Sequence, residues 1–323
     1  MYFESILLED HYHIISNKNY TYIFPHPILS KYIAHYTVSI PDRGQTNTNV
    51  DLGYLNLVPD SSGCIVCTYE DNDFSIYLWG ATTKIVTVEN DINTDKVRFF
   101  IEFLPGGLHA ITGIKQSELC DIQTSIENID KGLYKKIIYA LENSVSLDDL
   151  ITSMNSIFIE ELKKNQKSNS IIESSLIISS KVSGIMTIRE LAGSQYISER
   201  QLNRLFNEYI GMSAKMFLKL VRINNTINIL KHTNYNLADN AQIFGFYDQS
   251  HFIKDFKAIC GVTPKSFMEF WGEVCPIKSC CESKEYNHCG ECSKFACELL
   301  VAFSYDKDQG DDGKRVEQCK IWS

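Results

Sequence analysis

Two segments in the C-terminal half repeat one pattern, in which a helix, a tight turn and an amphipathic second helix follow one another. In the first segment, Ile188 and Leu191 have helical spacing before the turn, and Gly211 follows the second helix. Apolar residues at helical spacing after Ser213 predict a linking helix of about 18 residues. This tandem predicts an all-α domain over residues 170–270 with two helix-turn-helix units.

The second helix of the first unit has opposite apolar and polar faces. Ser198 and Gln201 have the spacing of a capping box, which predicts that the helix starts directly after Ser198. Leu202 and Phe206 fall on the face that we expect to be buried. The other face has side chains that can bind base edges in a major groove, arginine to guanine and asparagine to adenine. These candidate DNA contacts are Arg200, Asn203 and Arg204.

The second unit ends in another amphipathic helix. Gly245 and Phe246 form its turn, and Phe252 and Phe256 have helical spacing on the expected buried face. The opposite face offers side chains for hydrogen bonds, apolar contact and phosphate binding. The candidate DNA contacts of this unit are Gln249, Ser250, Ile253 and Lys254.

Charge is distributed unevenly along the chain. The whole chain has 31 Lys and Arg against 40 Asp and Glu, a formal net charge of −9. Residues 170–270 contain 11 basic and 8 acidic residues, residues 1–169 contain 13 and 22, and residues 271–323 contain 7 and 10. Only the middle segment has a positive balance, which is the sign expected of a surface that faces phosphates.

This middle segment resembles the AraC/XylS family of transcription regulators. The resemblance depends on SERQLNRLF, on Gly211-Met212-Ser213, and on GFYDQSHFIKDFK followed by GVTPKSF. It implies a seven-helix domain that places two helices in successive major grooves, with the candidate contacts above facing the bases. The family usually has Ile-Ala before the Gly-Phe turn, where this chain has Asn240-Ala241. A buried asparagine without partners costs about 1–3 kcal/mol. We therefore expect the second unit to be less tightly packed, or to contact mainly the phosphates of the DNA.

The N-terminal half is rich in strand patterns. Runs of β-branched and aromatic residues between turn formers predict a small β-barrel or sandwich. A helix pattern follows, in which Ser146 can cap a helix with Asp148 and Asp149 in its first turn. The polar stretch 163–170 predicts a domain boundary. The predicted strands are 21–24, 54–58, 63–69, 74–80, 84–88 and 97–104.

We therefore expect an α+β multidomain protein. Residues 1–165 are predicted to form a β-barrel or cupin-like domain with a helical hairpin, which serves an effector or in dimerisation. Residues 170–270 form the all-α tandem helix-turn-helix domain, and residues 271–323 form a small cysteine-rich module.

The strand-rich half also resembles an N-terminal domain that often precedes this DNA-binding module. The matching stretches are VPDSSGCIV, WGATTK and FLPGGLHAITGIKQSELCD. The resemblance assigns no ligand, so dimerisation alone and a small-molecule pocket inside the barrel both stay open. His11 and His13 form an H-x-H pair without a useful acidic partner, so no metal is expected there. Cys64 and Cys67 lie in strand-like sequence, which favours buried core cysteines.

Seven of the eleven cysteines lie between Cys275 and Cys319. In a reducing compartment this density favours metal or redox chemistry over disulfides. The C-x-x-C spacing lets two thiolates share one ion, and so short a tail has too little core to fold alone. We expect zinc or another thiolate-bound metal; a metal or thiol sensor, an iron–sulfur site and thiols without a site stay open. The tail resembles a small cysteine-rich bacterial family of unassigned chemistry. The candidate ligands are Cys275, Cys280, Cys281, Cys289, Cys292 and Cys297.

Together these features predict a cytoplasmic, sequence-specific DNA-binding transcription regulator that is not an enzyme and does not enter a membrane. No apolar run approaches the roughly 20 residues of a membrane span, and no Pro-Cys-His motif of an alkyl-transferring repair domain occurs. The expected partners are double-stranded DNA, RNA polymerase if the protein is an activator, a small-molecule effector and a second copy in a homodimer. A metal or the thiol redox state could replace the small molecule as the control. The alternative is a cysteine-based metal or redox sensor, or a DNA-repair-like protein, that uses these units mainly for localisation on DNA.

Overall fold

The computed structural model divides the chain into two compact units, residues 1–222 and 223–323. The described residues are 14–16, 20–39, 54–89, 96–165, 168–232, 241–242, 244–271, 284, 289–305, 313, 316–317 and 319–320. The boundary between the units falls inside a helix and not at the polar stretch 163–170. The three domains expected from the sequence therefore remain a prediction.

The first unit contains a seven-stranded antiparallel sheet in the order β1-β2-β3-β8-β5-β6-β9 and a two-stranded sheet of β4 and β7. All of the predicted strands are present, close to their predicted limits. The strands are β1 (Ile14–Ser16), β2 (Tyr20–Ile23), β3 (Ile33–Ser39), β4 (Tyr54–Leu57), β5 (Cys64–Glu70), β6 (Asp73–Trp79), β7 (Val86–Glu89), β8 (Val97–Phe103) and β9 (Gln123–Ser125).

The prediction of a closed β-barrel is wrong for the part of the chain that the structure describes. β1 and β9 lie at the two ends of the seven-stranded sheet, and no ladder joins them. β4 and β7 form a separate pair. A barrel requires one continuous ladder around its circumference, so the described strands form open sheets in an α+β protein.

β3 is a strand that the sequence patterns did not predict. It lies between β2 and β8, and Ile33, Tyr36, Thr37 and Val38 are all buried. Its register shifts between Ile33 and His35. This irregularity interrupts the alternation of inward and outward side chains, which is the signal that identifies a strand in sequence.

The helices follow the strands along the chain, apart from one short helix before β9. As predicted, Ser146 caps a long helix, since its hydroxyl accepts the Asp149 backbone N–H at 3.1 Å. No helix in the described part is long and apolar enough to cross a bilayer. The helices are α1 (Gly107–Thr112), α2 (Ile126–Ile129), α3 (Lys131–Asn143), α4 (Leu147–Asn165), α5 (Ser170–Lys181), α6 (Ile188–Ser194), α7 (Glu199–Tyr209), α8 (Ala214–His232), α9 (Gln249–Cys260), α10 (Pro264–Trp271) and α11 (Glu298–Ser304).

The core of the first unit lies between one face of the large sheet and the hairpin of α3 and α4. Phe99, Ile101 and Phe103 of β8 point into this core, as their alternation predicts. The Phe103 ring meets the Phe158 ring of α4 edge to face, with centroids 6.3 Å apart. Burial of each large apolar side chain contributes about 1.5–3 kcal/mol, so this layer holds the sheet and the hairpin together.

Candidate nucleic-acid interface

The first helix-turn-helix unit consists of α6 and α7, and a capping box begins each helix. The Glu190 backbone N–H donates to Thr187 Oγ1 at 3.2 Å, and the Thr187 N–H donates to Glu190 Oε2 at 2.7 Å. The bonds from Thr187 lower the pKa of Glu190. Ser198 and Gln201 make the same pair of bonds at the start of α7, as their spacing predicts.

α7, the recognition helix of this unit, has one buried and one exposed face. Leu202 and Phe206 are fully buried, and the Phe206 ring packs on Phe217 of α8 with centroids 5.3 Å apart. Arg200 and Arg204 are exposed on the opposite face. The packing fixes the orientation of the helix, and the two guanidinium groups extend into solvent from a rigid support.

Asn203 has a structural contact that the sequence did not reveal. It is half-buried, and its Oδ1 accepts the backbone N–H of Ala214 at 3.1 Å. Ala214 is the first residue of α8, and the first N–H groups of a helix have no partner within the helix. Asn203 thus ties α8 to α7, and a bidentate contact with adenine would have to share the same oxygen.

The second unit contains α9 as its recognition helix. The turn before it is closed by the N–H of Gly245, which donates to Gln242 at 2.9 Å, and by the N–H of Phe246, which donates to Ala241 at 3.0 Å. Gly245 has a positive φ of 74°. Asp248 then caps α9, since its carboxylate accepts the His251 N–H at 2.7 Å.

The buried face of α9 belongs to an aromatic cluster. The Phe252 ring lies 4.9 Å from Phe246 and 5.6 Å from Phe256, and Phe256 contacts Phe267 of α10. Ala241 is buried, and the unusual Asn240 lies outside the described residues. Of the candidate contacts, Ile253 is half-buried, whereas the exposed residues are Gln249, Ser250 and Lys254.

The C-terminal end of α7 packs against the N-terminal part of the first unit. The rings of His109 in α1 and Tyr209 in α7 have centroids 4.3 Å apart. Gly211 has a φ of 92°, and a Cβ at this residue would lie 2.8 Å from the Gln116 carbonyl oxygen. The segment 103–121, which carries the N-terminal resemblance, therefore also contacts the recognition helix. A glycine directly after α7 was the only local signal of this close approach.

The C-x-x-C in β5 has the arrangement expected of core cysteines. Cys67 is fully buried and Cys64 is half-buried, on opposite faces of the strand. Burial raises the pKa of both thiols, which keeps them protonated and unreactive. The other weak metal candidate, the His11 and His13 pair, lies outside the described residues.

The cysteine-rich tail is described only in part. Cys289 and Cys292 are half-buried in one 3₁₀ turn, where the Cys292 N–H donates to the Cys289 carbonyl at 3.1 Å. Cys297 is half-buried before α11. Within the described residues, no three His, Cys, Asp or Glu side chains converge as metal ligands would. The remaining candidates, which lie outside the described residues, are Cys275, Cys280 and Cys281.

Comparison with known proteins finds matches over the same segment. Residues 191–269 match a family model described as a helix-turn-helix domain. The HTH-type transcriptional activator RhaR of Cronobacter sakazakii is 33% identical over 78 residues, 24% of this chain and 28% of that protein. The HTH-type transcriptional regulator GbdR of Pseudomonas aeruginosa is 32% identical over 76 residues, 24% of this chain and 21% of that protein. The chain thus matches less than a third of the length of either relative.

Among solved structures, apo ToxT of Vibrio cholerae is similar with 13% identity and a TM-score of 0.38, over 72% of this chain and 96% of that one. A TM-score of 0.38 is too low to define a shared overall arrangement. The assignment depends instead on the two capped recognition helices and the match over residues 191–269. Residues 191–269 of this chain thus form a helix-turn-helix domain similar to that of the transcription regulators RhaR and GbdR.

Proposed function

We propose that this protein regulates transcription by binding duplex DNA through α7 and α9, and that it is not an enzyme. One observation carries the proposal: each helix buries an apolar face and exposes a polar face, directly after a helix-turn-helix turn. Major-groove recognition requires exposed polar side chains on a helix held by packing. RhaR and GbdR, which share this domain type, are named as a transcriptional activator and a transcriptional regulator.

The exposed residues suggest a division of roles. Arg200 and Arg204 suit guanine edges, and Lys254 suits a guanine or a phosphate. Ile253 suits the methyl group of a thymine. Asn203 contributes through its amide nitrogen, because its oxygen holds α8. The remaining proposed contacts are Gln249 and Ser250.

Arg204→Ala tests sequence recognition directly. A duplex selected from random fragments by the wild-type protein serves as the specific site. We expect affinity for it to fall by about 1–3 kcal/mol, the value of one good base contact, with a smaller loss on random DNA. Lys84→Ala, at an exposed loop position before β7, is the charge-matched control and should bind like wild type. Equal losses on both duplexes would mean that Arg204 contacts phosphate only, and binding without sequence preference would refute the proposal.

We propose that a small molecule controls this binding through the N-terminal part. The face of the large sheet that is turned away from the hairpin holds half-buried polar and aromatic side chains, including His35, Phe100 and Glu102. The Tyr22 and His35 rings meet there edge to face, with centroids 5.2 Å apart. Such a mixed surface suits a small polar ligand. The contact of α1 and Gln116 with the end of α7 offers a direct route to the recognition helix.

A ligand that acts in this way would raise the midpoint of thermal unfolding and change the affinity for the selected duplex together. A screen of small polar compounds by thermal shift, followed by DNA titration of each compound that raises the midpoint, measures both. Compounds that stabilise the protein without any change in DNA affinity would contradict control from this face.

The proposed partners also include a second copy of the chain and, for an activator, RNA polymerase. Tyr139 and Val145 on the α3–α4 hairpin are 69% and 71% exposed. Exposed apolar side chains on one hairpin offer a surface that two copies could bury between them. Sedimentation of the wild type and of Tyr139→Glu tests this, since a homodimer through the hairpin should weaken in the variant.

We also propose that the tail thiols bind zinc or another thiolate-bound metal. The support is the single turn that holds Cys289 and Cys292, a spacing that lets two thiolates share one ion. Elemental analysis of the reduced protein should find metal bound to the wild type, and loss of that metal in Cys289→Ser and Cys292→Ser. Cys120→Ser, outside the tail, is the control. A metal-free protein with a folded tail would remove this part of the proposal.

A further inference from the structure

The turn before α7 holds a bulky residue in a backbone conformation that usually requires glycine. Tyr196 has a φ of 54°, in the left-handed region. The Tyr196 N–H donates to the Gly193 carbonyl and the Ile197 N–H donates to the Ala192 carbonyl, both at 3.1 Å. These two bonds form a Schellman motif in which Tyr196 is the left-handed residue. This conformation is unfavourable for a bulky side chain and lowers the stability of the fold.

The second unit has the same turn without the strain. Gly245 is the left-handed residue there, with the equivalent pair of hydrogen bonds. An exposed tyrosine is nevertheless present, since Tyr247 lies directly before the Asp248 cap of α9 and is 85% exposed. Each unit thus presents a tyrosine beside the start of its recognition helix, and in the first unit this tyrosine occupies the glycine position itself.

Packing within the protein does not account for Tyr196. The residue is 97% exposed, more than any other large hydrophobic residue recorded among the described residues. Because the Tyr196 ring is not buried, it does not stabilise the fold. A glycine at this position would remove the backbone strain. A strained and fully exposed residue at the edge of a binding surface points to a role in binding.

We propose that the Tyr196 hydroxyl donates a hydrogen bond to a backbone phosphate of the duplex, beside the N-terminus of α7. This inference rests on the proposed DNA-binding function. Tyrosine is one of the side chains that bind DNA phosphates. The N-terminus of the 11-residue α7 attracts phosphate, and the exposed Arg200 in its first turn adds a positive charge. The negative charge of Glu199, next to Arg200, offsets the positive charge of the arginine. The hydrogen bond from Tyr196 therefore positions the helix against the DNA backbone and adds little electrostatic attraction.

Three variants separate strain from binding. Tyr196→Gly removes both the strain and the hydroxyl, and Tyr196→Phe removes the hydroxyl alone. Ser183→Gly is the matched control, because Ser183 is the left-handed residue of a Schellman motif at the end of α5, with a φ of 52°. Its own N–H donates to Ser180 at 3.0 Å, and the next N–H donates to Ser179 at 2.9 Å.

The measurements are the thermal unfolding midpoint and the dissociation constants for the selected duplex and for random DNA. We expect Tyr196→Gly to raise the midpoint by about 2–4 °C. We expect it to weaken binding about five- to tenfold on both duplexes. Tyr196→Phe should show the same loss of affinity without the gain in stability, and Ser183→Gly the gain without the loss.

Two results would overturn the inference. If Tyr196→Phe retains wild-type affinity for both duplexes, whatever Tyr196→Gly does, the hydroxyl does not contact phosphate. If the loss occurs on the selected duplex alone, Tyr196 contacts a base. If neither the wild type nor Ser183→Gly binds any duplex, the proposed DNA-binding function itself is wrong. A loss of binding that occurs only in the Tyr196 variants is a different result, because it leaves the proposed function intact.

Discussion

Glu102 illustrates how a single buried carboxyl affects this protein. It lies on β8, on the face of the sheet that is turned away from the hairpin, opposite His35 and Cys64 in the neighbouring strands. Burial and, to a smaller extent, the negative charge of Asp60 together raise the pKa of Glu102 from 4.5 to about 7. The folded protein therefore holds this proton more tightly than the unfolded chain does.

The stabilising effect of this proton depends on pH. Its contribution is complete below pH 4.5 and is lost as the pH rises through about 7, because a charged Glu102 is unfavourable in the folded state. Glu102→Gln should therefore raise the free energy of unfolding by about 1–3 kcal/mol at pH 8, with little effect at pH 5. Urea unfolding at the two pH values measures this. Glu142→Gln, at an exposed site on α3, is the control. If the free energy of unfolding of Glu102→Gln changes between pH 5 and pH 8 as much as that of the wild type, the burial argument is wrong.

At the scale of elements, the contact that bears most on α7 joins its C-terminal end to the turn Gln116–Glu118. The backbone of Gly211 lies against the Gln116 carbonyl, at a φ that side chains rarely adopt. Ile210, the residue before it, is buried. Because this contact holds α7 at its C-terminal end, we propose that it links the N-terminal part to the recognition helix.

Gly211→Ala tests this link. The added Cβ meets a backbone oxygen at 2.8 Å in a left-handed conformation, so we expect the free energy of unfolding to fall by about 1–3 kcal/mol and the affinity for the selected duplex to fall with it. Gly193→Ala in α6 is the control, because nothing lies within 4 Å of its added Cβ. This control should raise stability slightly, by about 0.5–1 kcal/mol. A Gly211→Ala protein with unchanged stability and affinity would show that the contact is loose.

At the scale of the whole molecule, an acidic chain contains one segment with a basic balance, which holds the proposed DNA contacts. The net charge is −9, and only residues 170–270 have more basic than acidic residues. Repulsion from the acidic parts weakens non-specific binding, so affinity depends on a few well-placed cations on the recognition helices. Three of these cations, Arg200, Arg204 and Lys254, are exposed.

This charge distribution predicts a moderate dependence on salt. On random DNA, where no guanine lies in register with the recognition helices, we expect these three cations to neutralise phosphates instead. Three such contacts correspond to a slope of log affinity against log salt near −2.7, or roughly a 40-fold loss between 50 and 200 mM salt. Titration of the intact protein with random duplex DNA measures the slope, and removal of Arg200 and Arg204 together should reduce it by about 0.9 for each contact. A slope that is unchanged in the double variant would place the phosphate contacts elsewhere.

The sequence alone predicted the features that depend on neighbours along the chain. The Ser198 capping box, the Gly245 turn, the two faces of α7 and the alternation in β8 each arise from residues a few positions apart. Periodicity and local hydrogen bonds are sufficient to identify such elements. The same local chemistry carries the resemblance to the AraC/XylS regulators, since the matching motifs contain the caps, turns and buried aromatic residues of the helix-turn-helix units.

Only the tertiary structure decided how distant segments meet. The open sheet, the bond from Ala214 to Asn203, the approach of Gly211 to Gln116 and the strained exposure of Tyr196 have no periodic signature. The first three depend on the packing of side chains and backbone from separate elements, and local propensity does not specify which pairs come together. The left-handed Tyr196 runs against local propensity, which favours glycine at that position. The amino-acid order thus determined which helices form and what their surfaces offer, whereas packing determined which of those surfaces remain available to DNA.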